Sequence, residues 1–471
     1  MDRKKGAYTS GPIGSTIIRT AIAMVPGTLA MTGYNLADAY FVGRLGKEPL
    51  AAMGFTFPVI MLAWCIFHGI GTGVVTTTAQ ALGGGRKTKA SGLVKAGLLL
   101  AIGVSIIIAA AGILSGRWVF SQFGAQGTTL DLVMAYMVIW YLGCVTGTLS
   151  GLGNSLLIAA GDASMAAMMM MFGMVINAVL DPMLIFGFGF IPAMGIEGAA
   201  LATVFSQFIS AFTVMEIIRR KHQLIHFDPI VFRQLFAAWR TIIRFAVPAI
   251  IGMLMMPLGV AVVTRVTAEF GDAAVGAVAA AGRVEALAFV FPMAMGISLV
   301  PMIGQNFGGR FYSRIRGIYR FSMRFAVCYL TVMAVVFCLM AETVARWFSP
   351  DPDVQKVMTL ALQITPWGFA MIEVHRYSGF FYTGCARPAI AAWLNALRIV
   401  GLLIPLSMLA LLFNYVGLLF VSRLLADVLS GTAGWFIARK LVMQLPADQQ
   451  PAAPVSRGFL GLGELPPLKK R

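Results

Sequence analysis

The sequence predicts an all-α integral membrane protein with about 12 transmembrane helices in two repeated six-helix bundles. Its composition, the length of its apolar segments and an internal repeat support this fold class. Of the 471 residues, 59% are hydrophobic and only 12% are charged, whereas a soluble protein of this size carries about 25% charged residues. The mean hydropathy of +0.83 therefore indicates a chain that folds within a bilayer.

Apolar segments long enough to cross a bilayer recur along the chain. A transmembrane helix needs about 20 mostly apolar residues. Segments of this kind lie at 16–42, 50–82, 91–113, 130–152, 163–187, 195–218, 242–268, 274–305, 323–340, 354–382, 389–413 and 415–438. The first is too long for a signal-peptide core and contains Asp38, so we interpret it as a retained helix.

Basic residues are concentrated in alternate connections, notably 86–95, 219–244 and 310–324. By the positive-inside rule these connections and both termini are cytoplasmic, which predicts a multi-pass protein of the inner membrane. The same rule accounts for the net charge of +17. No nucleic-acid recognition motif accompanies this charge, so we expect membrane lipid, and not nucleic acid, as the surrounding partner.

The two halves of the chain repeat each other. Gln80 corresponds to Gln305 (305 − 80 = 225), and Pro182 corresponds to Pro405 (405 − 182 = 223). Six helices per half make the copies parallel repeats, which usually hold a substrate between them and alternate its exposure. The predicted organisation is a cytoplasmic amino terminus at 1–12, bundles at 13–218 and 242–440, a basic loop at 219–241 and a disordered tail at 441–471.

Two carboxylates, Asp38 and Asp181, lie inside apolar segments of the first half. A charge near the bilayer centre costs at least roughly 2.5–3.5 kcal/mol, so such residues usually belong to an ion or substrate pathway. The repeat provides an internal control, because the position equivalent to Asp181 is Ile404 and those equivalent to Asp38 fall in the apolar stretch 260–263. The architecture itself does not require the two carboxylates.

The expected helix depths bring further oxygen-bearing side chains to the same level. Asn177 lies one turn from Asp181 on the same helix face, and Thr203 enters on the next helix at a similar depth. Carboxylate, amide and hydroxyl oxygens suit an alkali cation, whereas two close carboxylates also favour a shared proton. The residues therefore predict a site for Na+ or H+, without deciding between the two.

Three further residues of the first helix belong to this prediction. Tyr34 and Asn35 lie beside Asp38 and are candidates for the substrate cavity. Pro26 removes one backbone hydrogen bond, which interrupts the helix and predicts a hinge that responds to the bound cation.

Other polar residues lie in apolar segments of the second half. Glu285, Glu373, His375 and Arg376 are possible substrate-cavity residues, but Glu373 and Arg376 also have the spacing of a structural ion pair. Arg423 and Asp427 are four residues apart, which predicts a structural pair.

Two other classes of protein lack their required motifs. A nucleotide-driven pump needs G-x-x-x-x-G-K-[ST], and the sequence GGGRKT at Gly83 does not have that spacing. An enzyme of the membrane surface needs a catalytic constellation, and the sequence contains none that we recognise. We therefore expect a transporter, not an enzyme, with no cofactor besides a transported H+ or Na+.

Four stretches of the chain form a recognisable combination: GTLAMTGYNLADAYFVGRLG, TAQALGGG, NAVLDPMLIFG and GIEGAALAT. Together they resemble the multidrug and toxic compound extrusion (MATE) transporters, and among them the DinF/MepA-like branch. The resemblance implies a V-shaped pair of six-helix bundles that works as a monomer. It implies export of lipophilic, often cationic compounds in exchange for Na+ or H+, with Asp38, Asn177, Asp181 and Thr203 as the cation site and Pro26 at a bend. A flippase or exporter of a lipid or lipid-linked precursor is the alternative function.

Overall fold

The computed structural model describes residues 6–189, 191–226 and 232–448. These residues form 16 α-helices. Their bounds are α1 Ile13–Gly43, α2 Lys47–Gly83, α3 Lys87–Gln122, α4 Gly127–Leu142, α5 Cys144–Ala159, α6 Ala163–Phe186, α7 Gly195–Ile217, α8 Phe232–Ala268, α9 Asp272–Ala288, α10 Val290–Gly308, α11 Tyr312–Phe348, α12 Pro352–Ile364, α13 Phe369–Gly384, α14 Pro388–Ala396, α15 Ile404–Leu412 and α16 Gly417–Met443. In these described ranges the β-structure is limited to an isolated bridge between Phe188 and Ile191.

The helices have the length and apolar composition of membrane spans. Eleven candidate spans meet this description, each formed by one helix or by consecutive helical segments. Helices α4 and α5 are bent by 54° where they meet, and the number is 12 if this pair is one span. Short 3-10 or π-helical turns join several helices, as Thr365–Gly368 joins α12 to α13 and Leu397–Leu403 joins α14 to α15. The prediction of an all-α membrane protein with about 12 spans is thereby confirmed.

The chain divides into two compact units. Unit 1 comprises mainly Ile22–Ala246, and unit 2 comprises Tyr8–Ala21 with the described residues from Val247 onward. The predicted bundle limits stay a prediction. Residues 449–471 of the predicted tail lie outside the described residues. So do residues 1–5 of the predicted amino terminus and residues 227–231 of the predicted basic loop. Helix α16 continues to Met443, past the predicted bundle limit at 440.

Helix α1 is continuous past its proline. The helix runs unbroken from Ile13 to Gly43 with Pro26 inside it, so the predicted interruption is absent from this part of the structure. Proline removes only one backbone hydrogen bond, and packing supports the helix at this point: a Cβ on Gly27 would lie 3.0 Å from the Cα of Ala167 on α6. The hinge role of Pro26 stays a prediction.

Close packing of α6 against α7 fixes the relative positions of their side chains. A Cβ on Gly198 of α7 would overlap the carbonyl oxygen of Leu184 and lie 2.9 Å from the backbone nitrogen of Ile185, both on α6. Since only glycine leaves room for this approach, Gly198 sets the distance between the helices one turn beyond Asp181.

We predict that Gly198→Ala destabilises the protein by roughly 1–3 kcal/mol, because the new methyl group meets backbone atoms that cannot rotate away. The measurement is thermal unfolding of the purified variants in detergent. Gly151→Ala on α5 is the matched control, because its Cβ would meet no atom within 4 Å among the described residues. Equal melting temperatures for the two variants would contradict this account of the α6–α7 contact.

Candidate cation site

Three helices of unit 1 bring the four predicted cation-site residues together. Asp38 on α1, Asn177 and Asp181 on α6, and Thr203 on α7 are all buried, with at most 5% of each residue exposed. The Asn177 side-chain amide donates a hydrogen bond of 3.2 Å to Asp181 Oδ1. Asp38 is in short-range contact with Asp181, Asn177 and Thr203. We call these four residues the oxygen cluster.

Each member of the oxygen cluster has one oxygen without a hydrogen-bond partner. These atoms are Asp38 Oδ1, Asn177 Oδ1, Asp181 Oδ2 and Thr203 Oγ1, and the statement applies to the residues that the structure describes. A buried polar atom left unsatisfied costs roughly 1–3 kcal/mol. Four such oxygens in one cluster are hard ligands of the kind that suits an alkali cation, and a proton on a carboxylate would also satisfy part of the set.

Charge distinguishes the oxygen cluster from the rest of the interior. The described residues contain five buried carboxylates, namely Asp38, Asp181, Glu285, Glu373 and Asp427. Those of unit 2 each pair with an arginine, whereas within the same described ranges neither Asp38 nor Asp181 has a cationic partner. The two carboxylates of unit 1 are therefore not neutralised by a basic side chain of the described residues, and either a cation or a proton can neutralise them.

Sequence reasoning missed two residues beside the oxygen cluster. Tyr136 on α4 is buried, and its hydroxyl is in short-range contact with Thr203. Ser206, one turn beyond Thr203 on α7, donates to the Thr203 carbonyl at 2.9 Å, and its oxygen lies 3.4 Å from the hydroxyl of Tyr34. The three-residue spacing of Ser206 from Thr203 could have predicted that Ser206 lies beside the cluster. Nothing in the apolar sequence around Tyr136 predicts its position there. Asn35 lies on α1, but its side chain is outside the described part of the structure.

Glu285 is engaged in an ion pair. Its carboxylate accepts hydrogen bonds from Thr365 Oγ1 at 2.5 Å and from Arg423 Nη2 at 2.6 Å. Asp427 in turn pairs with Arg398, at 2.6 Å. The predicted pairing of Arg423 with Asp427 is therefore wrong, because partners on neighbouring helices come closer than the residue four positions along α16.

The polar residues of α13 are also paired. Arg376 Nη1 lies 2.8 Å from Glu373 Oε2, the three-residue spacing that predicts a structural pair. His375 Nε2 lies 3.0 Å from Asn395 Oδ1. A substrate-contact role for Glu373, His375 and Arg376 stays a prediction.

Comparison with known proteins gives consistent matches over most of the chain. The MatE family model matches residues 24–183 and 248–409. The two matches start 224 residues apart (248 − 24), which agrees with the offset of the internal repeat.

Two curated relatives and one solved structure illustrate the similarity. The chain is 30% identical to an FAD transporter of Shewanella oneidensis, over 92% of this chain and 96% of the relative. It is 22% identical to the multidrug export protein MepA of Staphylococcus aureus, over 94% and 97%. The fold matches the crystal structure of the Vibrio cholerae MATE transporter VcmN in the bent form, with a TM-score of 0.86 and 26% identity over 92% and 97% of the two chains.

We predict that Thr203→Val makes the cation-free protein about 1 kcal/mol more stable, because valine keeps the shape and removes an unsatisfied buried hydroxyl. The measurement is thermal unfolding at alkaline pH in a buffer whose only cation is a bulky organic one.

Thr148→Val is the matched control. Its hydroxyl is buried in unit 1, donates to the Cys144 carbonyl at 2.8 Å and accepts from Ser105 at 2.9 Å, so its loss should destabilise by about 1 kcal/mol. If Thr203→Val is as destabilising as this control, the hydroxyl is not an open ligand position.

Proposed function

The chain belongs to the MATE family of transporters, and from that premise we propose that it is a cation-coupled antiporter that exports small molecules across the inner membrane, with both termini cytoplasmic. The observation that carries the proposal is the set of four unsatisfied oxygens on Asp38, Asn177, Asp181 and Thr203. A site of this kind binds a cation more tightly than one whose carboxylates are already neutralised.

The coupling follows from differential affinity. A ligand shifts an equilibrium between two conformations only if it binds one of them more tightly. The oxygen cluster takes its ligands from three separate helices, so a movement of α1 near Pro26 would separate Asp38 from Asp181 and weaken the site. We propose that Na+ or H+ arriving from outside favours the assembled arrangement, and that this change accompanies outward release of the substrate.

Two substrate classes have support. The similarity to the multidrug export protein MepA supports export of drugs, and for these the family resemblance implies lipophilic, often cationic compounds. The second candidate is FAD, supported by the higher identity to a relative named an FAD transporter. The two classes differ in charge, since FAD carries a pyrophosphate and the drugs are neutral or cationic.

We predict that vesicles containing the purified protein release substrate when the outside Na+ concentration is raised or the outside pH is lowered. Efflux of a fluorescent organic cation and of FAD should be measured in parallel under each gradient. Asp38→Asn and Asp181→Asn should each slow gradient-driven efflux by about tenfold or more, since tenfold corresponds to only about 1.4 kcal/mol.

Asp131→Asn is the matched control, because that carboxylate lies in the same unit but is exposed and paired with Arg117 at 2.8 Å. It should transport at the wild-type rate. Undiminished efflux in both Asp38→Asn and Asp181→Asn would refute coupling at the oxygen cluster. If neither substrate moves under either gradient while a labelled phospholipid changes leaflet, the protein is a flippase instead.

A further inference from the structure

A groove in unit 2 combines positive charge with an apolar floor. It has a volume of about 500 Å³, and its lining includes Ile13 of α1 with Arg320, Phe321, Arg324, Phe325 and Cys328 of α11. A volume of this size is typical of a site for a small molecule or part of a lipid. The oxygen cluster lies in the other unit and shares no residue with this groove.

The two arginines of the groove are free to bind an anion. Arg320 and Arg324 are one helical turn apart, both exposed, and neither forms an ion pair or hydrogen bond with any residue in the described ranges. The two preceding arginines on α11 already form hydrogen bonds within the protein. Arg314 donates to the Gly11 carbonyl at 2.8 Å, and Arg316 donates to the Pro446 carbonyl at 3.0 Å. Two adjacent guanidinium groups suit a phosphate, which accepts several charge-assisted hydrogen bonds.

The position along α11 places this charge at the edge of the hydrocarbon region. Residues 325–341 contain no charged side chain, and at 1.5 Å per residue they span about 26 Å, close to the roughly 30 Å of a bilayer core. Arg320 and Arg324 therefore lie at the level of the lipid headgroups, and Cys328 lies one turn deeper. The positive-inside rule assigns this end of α11 to the cytoplasmic leaflet.

Two glycines keep the floor of the groove closed. A Cβ on Gly14 of α1 would lie 2.9 Å from a ring carbon of Phe321, and a Cβ on Gly317 of α11 would overlap the side chain of Ile13. The two helices are thus in close contact beneath the arginines, which makes the groove a preformed feature of unit 2.

We propose that this groove binds an anionic phospholipid, with the phosphodiester between Arg320 and Arg324 and an acyl chain along Phe321, Phe325 and Cys328. Basic pockets between transmembrane helices on the cytoplasmic side are suited to anionic lipid headgroups. The apolar floor distinguishes the site from one for a free anion, which would gain nothing from it. This proposal does not depend on the proposed transport function, because the groove shares no residue with the oxygen cluster.

The first test is native mass spectrometry of the detergent-purified protein with phosphatidylglycerol and with phosphatidylcholine of the same acyl chains. Wild type should retain phosphatidylglycerol preferentially. The double variant Arg320→Gln/Arg324→Gln should weaken its binding roughly 10- to 30-fold, as expected for two basic side chains at a membrane surface.

The matched control is Arg265→Gln/Arg346→Gln, which removes two positive charges from exposed arginines of unit 2 that already pair with Glu269 and Glu342. It should leave phosphatidylglycerol binding unchanged. Equal binding in the two double variants, or equal retention of both lipids by wild type, would overturn the proposal.

A second test keeps both arginines. Cys328→Trp fills the apolar part of the groove and should weaken phosphatidylglycerol binding, while weak binding of glycerophosphoglycerol, which has no acyl chains, should not change. If the soluble compound binds wild type as tightly as the lipid does, the groove is a site for a free anion and the proposal fails.

The reactivity of Cys328 provides a check that keeps both arginines and so does not depend on folding of the arginine variants. Cys328 is exposed, whereas Cys65, Cys144 and Cys385 are buried. In a Cys338→Ala background, phosphatidylglycerol should slow the reaction of Cys328 with N-ethylmaleimide, and phosphatidylcholine should not. Equal rates with both lipids would contradict binding of the acyl chain in the groove.

Discussion

The cost of burying charge is the constraint on which the structure depends. Five carboxylates are buried in the described residues, and each requires compensation. In unit 2 the compensation is an arginine: Arg423 for Glu285, Arg376 for Glu373 and Arg398 for Asp427. In unit 1, among the described residues, neither Asp38 nor Asp181 pairs with an arginine; Asn177 donates a hydrogen bond to Asp181, and a bound cation or a proton would supply further compensation.

The local structure of unit 1 holds the oxygen cluster in two parts. The α6–α7 contact at Gly198 and the one-turn spacing of Asn177 and Asp181 hold part of the oxygen cluster on two tightly packed helices. Asp38 is the member contributed by α1, the helix that contains Pro26. A site assembled from a rigid helix pair and a helix with one missing backbone hydrogen bond is suited to binding a cation in one arrangement and releasing it in another.

Much of this was predictable because bilayer insertion imposes simple rules on sequence. Apolar segment length predicted the spans, and helical spacing with depth predicted that Asp38, Asn177, Asp181 and Thr203 meet.

Partners on separate helices were not predictable: the spacing of Arg423 and Asp427 suggested a pair, but each forms an ion pair with a residue of another helix. The position of Tyr136 beside the cluster also depends on helix packing, and an aromatic residue in an apolar segment carries no signal of it. Likewise the presence of Pro26 indicated a break, whereas packing keeps α1 continuous.

The most direct test of the central claim is equilibrium binding of Na+ and uptake of protons by the purified, substrate-free protein, compared with Asp38→Asn and Asp181→Asn. We expect wild type to bind one of these two ions in a fixed ratio to protein, and each substitution to abolish this binding without unfolding the chain. Unchanged binding in both variants, or no binding of either ion by wild type, would show that the oxygen cluster is not the coupling site.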